Sequence, residues 1–155
     1  MAIQTGRRAI VLPDVNSPSS IQQLRSYLLD LFNSIGPPSI FSVVETTDAT
    51  STVLSQVTLD DNRSYLVVAH VIARRTGGSS GTAGDSAGYV RRAVIGRVSA
   101  GSATIIGSVQ DDFTVESQAA WDCTIAVNGN DMRVNITGAA NNNVSWSAFV
   151  TLQSI

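Results

Sequence analysis

The chain has 155 residues and a formal net charge of −2 at pH 7, and all of its basic residues are arginine. This slightly acidic balance gives no reason to expect a nucleic-acid partner, because nucleic-acid-binding domains are normally basic. No apolar run approaches the roughly 20 residues of a membrane-spanning helix, so no membrane contact is expected. Cys123 is the only cysteine and cannot form an internal disulfide, and we expect it to be buried.

Residues 1–19 are predicted to form an extended N-terminal arm. Pro13, Pro18 and the turn-forming residues between them oppose a helix. The segment is too short to build a core of its own, so its apolar stretch should lie on its own domain or on another chain. We assign contact with a partner protein to five residues of this arm: Arg7, Arg8, Ile10, Val11 and Leu12.

Residues 20–36 contain the one helix that the sequence predicts. It would run from Ile21 to about Asn33, with a serine as its N-cap and Gly36-Pro37-Pro38 ending it. Two arrangements remain open, a helix that lies on the β-domain and a short parallel bundle around a threefold axis. Four apolar residues repeat at heptad spacing, and we assign them to contacts between subunits: Ile21, Leu24, Leu28 and Leu31.

Residues 37–155 are predicted to form a mainly β domain, an antiparallel β-sandwich or jelly roll of about eight strands. Alternating apolar and polar residues mark the strands, and Asn128-Gly129 is the strongest hairpin signal. The expected strands are Phe41–Thr46, Thr52–Leu59, Ser64–Arg74, Gly88–Val98, Ala103–Val109, Ala120–Val127, Met132–Thr137 and Val144–Leu152. The expected core consists of Tyr65, Val67, Val71, Val94, Ile105, Trp121, Ile125, Val134, Ile136, Trp146 and Val150.

A glycine-rich stretch from Thr76 to Gly88 is predicted to be a long, mobile surface loop, since it has little to bury. It is not expected to bind phosphate, because a strand follows it and it carries no lysine. Arg91 and Arg92 follow this loop on a predicted strand, where successive side chains point to opposite faces. Arginines at a solvated rim are one interpretation. The other, to which we assign both residues, is a subunit interface in which they pair with Asp85, Asp111 or Asp112 of a neighbouring subunit.

The sequence contains no set of residues typical of catalysis. His70 is the only histidine, and neither a Gly-X-Ser-X-Gly segment nor a cysteine or second histidine at zinc-ligand spacing accompanies it. We expect His70 to be a packed or hydrogen-bonded structural residue. The acidic pairs at 60–61 and 111–112 are expected in turns, where aspartate bonds to the backbone. The prediction is therefore a protein that is not an enzyme and needs no metal or cofactor.

Six segments of residues 52–155 together resemble a known family. They are Asp60 to Arg75, Ala87-Gly-Tyr-Val-Arg-Arg-Ala, Thr104-Ile-Ile-Gly-Ser, Trp121-Asp, Val134-Asn-Ile-Thr-Gly-Ala and Val144-Ser-Trp-Ser-Ala-Phe-Val. This part of the chain is similar to a recurrent β-domain of tailed-phage virion proteins, present in capsid decoration proteins and in head or tail fibres. The resemblance implies a homotrimer without enzymatic activity that attaches to other virion proteins.

On this resemblance we expect a capsid decoration, or cement, protein on the capsid surface of the virion, bound to the major capsid protein or to other virion proteins. The alternative is a short head or tail fibre, or a tail component, that contacts a host protein or glycan through Tyr89 and the loop at residues 77–87. A carbohydrate-active enzyme or lectin domain is a third interpretation. It would need a cleft with aromatic side chains and paired acids, whereas the aromatic residues here are expected in the core.

Overall fold

The structure is a computed structural model that describes Ser26 and residues 39–155. The predicted arm and, apart from Ser26, the predicted helix lie outside the described residues. No helix among the described residues has the length and apolar character needed to cross a membrane. The architecture that follows is that of the β-domain.

Eight β-strands form this domain, and neighbouring strands within each sheet are antiparallel. The prediction of a mainly β, sandwich-like fold of about eight strands is confirmed. The strands are β1 (Ser39–Thr46), β2 (Thr52–Thr58), β3 (Arg63–Gly78), β4 (Ser86–Arg97), β5 (Ala103–Glu116), β6 (Asp122–Asn128), β7 (Asp131–Thr137) and β8 (Asn142–Ser154).

The strands form two sheets. One sheet has five strands in the order β1-β8-β3-β4-β5, and the other has three in the order β2-β7-β6. β6 and β7 are joined by the short turn Gly129-Asn130, in which Gly129 has a φ of 59°. This is the hairpin that Asn128-Gly129 predicts, because such turns need positive φ.

The core between the sheets has a cluster of aromatic side chains at its centre. The rings of Tyr89 and Trp146 are stacked with their centroids 6.2 Å apart, and Trp121 is tilted against Trp146 at 5.7 Å. The indole N–H of Trp146 donates a hydrogen bond of 2.9 Å to Thr46 Oγ1. Trp146 therefore satisfies its polar atom without reaching solvent.

Most of the predicted core is confirmed, with one error in β4. Nine of the eleven predicted residues are buried, and Ile105 is partly buried against the core. Val94 was expected inside but is 41 % exposed. The reason is that β4 turns its odd-numbered residues inward, and these are Ala87, Tyr89, Arg91, Ala93 and Ile95. An arginine therefore occupies an inward position, and Val94 faces outward.

The guanidinium of Arg91 is held between the sheets by acceptors from two other strands. Its Nε donates to the Cys123 carbonyl oxygen on β6 at 2.7 Å. One terminal nitrogen donates to the Phe113 carbonyl oxygen (3.0 Å) and to Thr114 Oγ1 (2.8 Å) on β5, and it is paired with Asp111. Because these acceptors surround the charge, Arg91 is buried without being left unpaired.

Asp111 and Asp112 lie within β5 and not in the turn that the sequence predicts. The strand continues through both residues and accommodates them in a bulge opposite Arg91. Asp111 is paired with Arg91, and Asp112 is paired with Arg92 at 3.1 Å. Both aspartates are among the residues that the sequence suggested as partners of Arg91 and Arg92, and here both pairs form within one chain. Pairing across subunits stays a prediction. The other acidic pair, at 60–61, does lie at a turn, between β2 and β3.

The glycine-rich stretch forms a shorter loop than predicted. β3 extends to Gly78 and β4 begins at Ser86, which leaves residues 79–85 as the connection. Arg75 donates to the carbonyl oxygens of Gly78, at the end of β3, and of Ser80 in the connection, at 2.6 and 2.8 Å. Asp85 accepts two hydrogen bonds of 2.7 Å. The expected long loop is therefore a shorter turn that is bonded to its own domain.

Replacing Arg91 and Arg92 separately by methionine distinguishes the buried pair from the exposed one. Arg91→Met removes the cation that bonds β4 to β5 and β6, and we expect the free energy of unfolding to fall by about 2–4 kcal/mol. Arg92→Met is the matched control, and because Arg92 is half exposed it should cost less than about 1 kcal/mol. Urea unfolding followed by tryptophan fluorescence measures both, and equal losses would contradict this role of Arg91.

Cys123 is buried on the inward side of β6, as predicted. Burial raises the pKa of its thiol from the ordinary value of 9.0 to about 12. The folded state therefore holds this proton more tightly than the unfolded state does. The stability that depends on the protonated thiol is complete below pH 9.0 and is lost as the pH rises toward about 12.

The free energy of unfolding should accordingly decrease in the alkaline range. Between pH 9.0 and about 12, ionisation of Cys123 in the unfolded state contributes a slope of at most about 1.4 kcal/mol per pH unit. Cys123→Ala should lose this part of the slope and keep the part that comes from other groups. Urea unfolding across the window measures both proteins, and identical slopes would refute the assignment.

Candidate interaction face

The outward face of the five-stranded sheet is rich in exposed apolar side chains. Among the described residues, twelve large apolar side chains are exposed, and nine of these lie on this face. They come from all five strands and are Phe41 and Val43 (β1), Phe149 (β8), Leu66 and Ile72 (β3), Val94 (β4), and Ile106, Phe113 and Val115 (β5). We call this surface the apolar face.

The strand register places one residue of each strand in a row across the middle of the apolar face. The row is Phe41, Phe149, His70, Val90 and Phe113, each directly opposite the next. The phenylalanines at its two ends are 70 % and 50 % exposed. Contiguous exposed apolar residues of this kind mark a surface that contacts another molecule.

A shallow depression of about 520 Å³ lies on the apolar face around Gly88. Gly88 belongs to the adjacent row, whose order is Val43, Ser147, Ile72, Gly88 and Val115. A Cβ atom at Gly88 would lie 3.3 Å from a ring carbon of a phenylalanine on the neighbouring strand β5. Gly88 itself is thus closely approached by this ring, and the room for an apolar group of a partner is the depression beside it.

The outward face of the three-stranded sheet is polar by contrast. Asp131 accepts hydrogen bonds from Gln56 (2.8 Å) and Thr58 (2.7 Å), and Arg133 lies beside them on the same face. Among the residues that the structure describes, Val53 is the one large apolar side chain exposed on this face. The side of the sandwich formed by β2, β7 and β6 is thus suited to water, and the apolar face is not.

Charged groups on the apolar face are paired or lie near one end. Arg92 is paired with Asp112 at 3.1 Å on the face itself. Glu45 on β1 and Arg74 on β3 are both opposite Ser145 of β8, in a row beyond the apolar residues. An apolar centre with a polar margin is the usual anatomy of a protein–protein interface.

His70 lies exposed in the middle of the apolar face, so the prediction of a packed structural residue is wrong. In β3 the odd-numbered residues point inward, and His70 therefore points outward. Its cross-strand neighbours Phe149 and Val90 cannot act as an acid or a base. No group of three or more His, Cys, Asp or Glu side chains in the described part of the chain could hold a metal ion. The arrangement suits surface contact better than acid–base chemistry.

The structure places only two of the assigned site residues. Arg91 faces the interior and Arg92 the apolar face, as the alternation along a strand predicts, and their role in subunit contacts stays a prediction. The other assigned residues lie outside the described residues, and they are Arg7, Arg8, Ile10, Val11, Leu12, Ile21, Leu24, Leu28 and Leu31.

Tyr89 is not the exposed contact residue that the fibre interpretation expected. It is 2 % exposed, and its hydroxyl donates a hydrogen bond of 2.8 Å to Glu116. Burial, together with this hydrogen bond, raises the pKa of Tyr89 above its ordinary value, so the hydroxyl remains a donor. Contact through Tyr89 is therefore ruled out in the folded domain.

None of the nine residues of the apolar face was predicted as a contact site. The signal that could have revealed part of it is a strand without alternation, Leu66-Val-Val-Ala-His-Val-Ile72. An antiparallel strand with one solvated face should alternate between apolar and polar residues. Apolar residues on both faces of β3 therefore indicate that both faces are covered by protein.

Comparison with known proteins gives structural neighbours but no family. No family model and no curated protein matches the chain. Similar solved structures include the tailspike protein of Acinetobacter baumannii phage AM24, with 9 % sequence identity and a TM-score of 0.46. Another is the tailspike protein of Acinetobacter phage vB_ApiP_P1, with 16 % identity and a TM-score of 0.43. The two matches cover 74 % and 76 % of this chain but 26 % and 22 % of the tailspike chains.

This chain thus corresponds to about a quarter of the length of each tailspike protein. Both names denote a tail structure of a phage and not a capsid decoration protein. With identities and TM-scores this low, neither neighbour assigns a function to this chain.

Alanine substitutions at Gly88 and Gly78 should have unequal costs. At Gly88 the new methyl group meets only the half-exposed ring of Phe113, so the free energy of unfolding should change by less than about 1 kcal/mol. At Gly78 the φ is +91° and a Cβ would lie 2.2 Å from the Asn141 carbonyl oxygen, so we expect a loss of more than about 2 kcal/mol. Thermal unfolding of the two variants gives the comparison. A large cost at Gly88 would show that the depression is not open.

Proposed function

We propose that this chain is a non-enzymatic structural protein of a bacteriophage virion and that it belongs to a short fibre or another part of the tail. The observation that carries the proposal is the apolar face, a sheet surface that needs protein cover in water. A protein with such a surface acts by packing against other chains. The resemblance of residues 52–155 to virion β-domains supports the phage particle as its location.

Within the particle, the chain would act as a homotrimer that attaches to other virion proteins through its N-terminal residues. The arm residues Ile10, Val11 and Leu12 would bury apolar surface on a neighbouring protein. At about 25 cal/mol per Å², three such side chains contribute several kcal/mol per subunit before the cost of ordering the arm. Three arms that bind together would strengthen the attachment further through avidity.

A capsid decoration protein is the second candidate. It is favoured by the same apolar face and by the same resemblance, because a cement protein also acts by packing against its neighbours. The two candidates differ in number and in place. A decoration protein is present in many copies over the whole shell, whereas a tail component is present in few copies at one site.

Quantitative mass spectrometry of purified particles, combined with antibody labelling in particle images, tests the proposal. We expect few copies per particle and label at the tail. Many copies with label over the head would favour the decoration protein instead. Absence of the chain from purified particles would overturn both candidates.

Deleting residues 1–18 tests the attachment through the arm. The shortened protein should no longer assemble onto particles, while its far-UV circular dichroism spectrum stays that of a β-domain. The full-length protein, added to particles that lack it, is the matched control. Undiminished binding of the shortened protein would contradict the role of Ile10, Val11 and Leu12.

A further inference from the structure

We propose that the apolar face is the surface through which copies of this chain pack against one another. The number of copies, three, rests on the proposed function, whereas the choice of the face rests on the structure. In this arrangement the polar face of the three-stranded sheet would remain in water. The apolar face of one copy would thus be covered by the apolar face, or part of it, of another copy.

The size of the apolar face suits such an interface. The face is five strands wide, or about 24 Å. Along the strands it covers four rows of outward residues, from the row of Val43 to the row of Leu66, or about 25 Å. Its projected area is therefore roughly 600 Å². The accessible surface over protruding side chains exceeds this projected area. It therefore approaches the roughly 800 Å² that each partner buries in a stable protein–protein interface.

The charges on the face favour an identical partner over a charged one. Arg92 already has its counter-charge in Asp112, 3.1 Å away on the same face. The central row and the row of Gly88 contain no Asp, Glu, Lys or Arg. A nucleic acid or an acidic glycan would find no unpaired positive charge there. The apolar face of a second copy would bring no unpaired charge into the contact. Interfaces between identical subunits are also more apolar than interfaces between transiently associated proteins.

The hydrogen-bonding capacity of the depression also argues against a sugar as its occupant. Of the outward-facing side chains that line it, only those of His70 and Ser147 carry polar atoms. Small-molecule sites normally add several convergent polar groups to an apolar lining. The depression is better suited to an apolar side chain from another copy.

The central position of β3 gives the proposal a geometric consequence. β3 is the third of five strands in the sheet, and His70 is the third of five residues in the central row. If three copies turn their apolar faces toward a common axis, β3 lies nearest to that axis. Its outward residues Leu66, His70 and Ile72 would then meet their counterparts, and oligomers of one chain generally have such closed symmetry.

The test is the mass of the full-length protein in solution, measured by light scattering and sedimentation. We expect a trimer of the 16.3 kDa chain. Ile72→Asp and Val115→Asp each place a carboxylate on the apolar face, where both residues are now more than half exposed. Each should raise the dissociation constant at least about 100-fold, because the buried carboxylate would lack a partner.

Val53→Asp is the matched control, since Val53 is an exposed valine on the outward face of the other sheet. It should leave the mass of the oligomer unchanged. Circular dichroism of all three variants checks that the β-domain still folds, and two positions on different strands guard against the loss of one variant. A monomeric wild-type protein, or an oligomer that Ile72→Asp and Val115→Asp do not weaken, would overturn the proposal.

These outcomes are separable from those of the proposed function. A chain that is present at the tail but is monomeric in solution would refute the packing of the apolar face and leave the virion role standing. A chain that oligomerises through the face but is absent from particles would do the reverse. A dimer that the two variants dissociate would support the face and refute the trimer.

Discussion

The buried guanidinium of Arg91 determines which side of β4 each residue faces. Only an inward Arg91 can donate to the Cys123 carbonyl oxygen on β6 and to acceptors on β5. A shift of β4 by one residue would break these bonds and exchange its two faces. Tyr89 would then leave the aromatic cluster, and Val90 and Val94 would enter the core. The interaction that joins the two sheets thus also places apolar residues on the outside.

The bulges in β5 complete the apolar face. In the first half of β5, Ile106 is opposite Val94, and both face outward. Register shifts beyond this pair change the parity, so that the outward residues of the second half are Phe113 and Val115. A regular strand would have turned one of these two groups inward. The bulge that holds the Arg–Asp pairs is therefore also the reason why Phe113 and Val115 lie on the apolar face.

The strands and most inward residues could be predicted from the sequence, but the two faces of β4 could not. β7 and β8 alternate between apolar and polar residues, so their inward residues were evident, Trp146 among them. β3 and β4 are apolar on both faces, and the period-two signal that fixes the phase is then absent. From the sequence alone, an inward Arg91 is unfavourable, because the strands β5 and β6 that supply its acceptors are not known to lie beside it. The apolar face can be predicted only when the strand order is known, because its central row is formed by residues as far apart in the sequence as 41 and 149.

The position of β8 has a consequence for the order of folding during synthesis. β1 has only β8 as a neighbour in its sheet, and the bond between Thr46 and Trp146 spans 100 positions of the chain. The first strand must therefore wait until nearly the whole domain has left the ribosome. Such distant pairing is slow, because a long loop must close before any contact rewards it. Until then a newly made chain exposes unpaired backbone, and chaperone protection or rapid association of nascent chains would matter most at that stage.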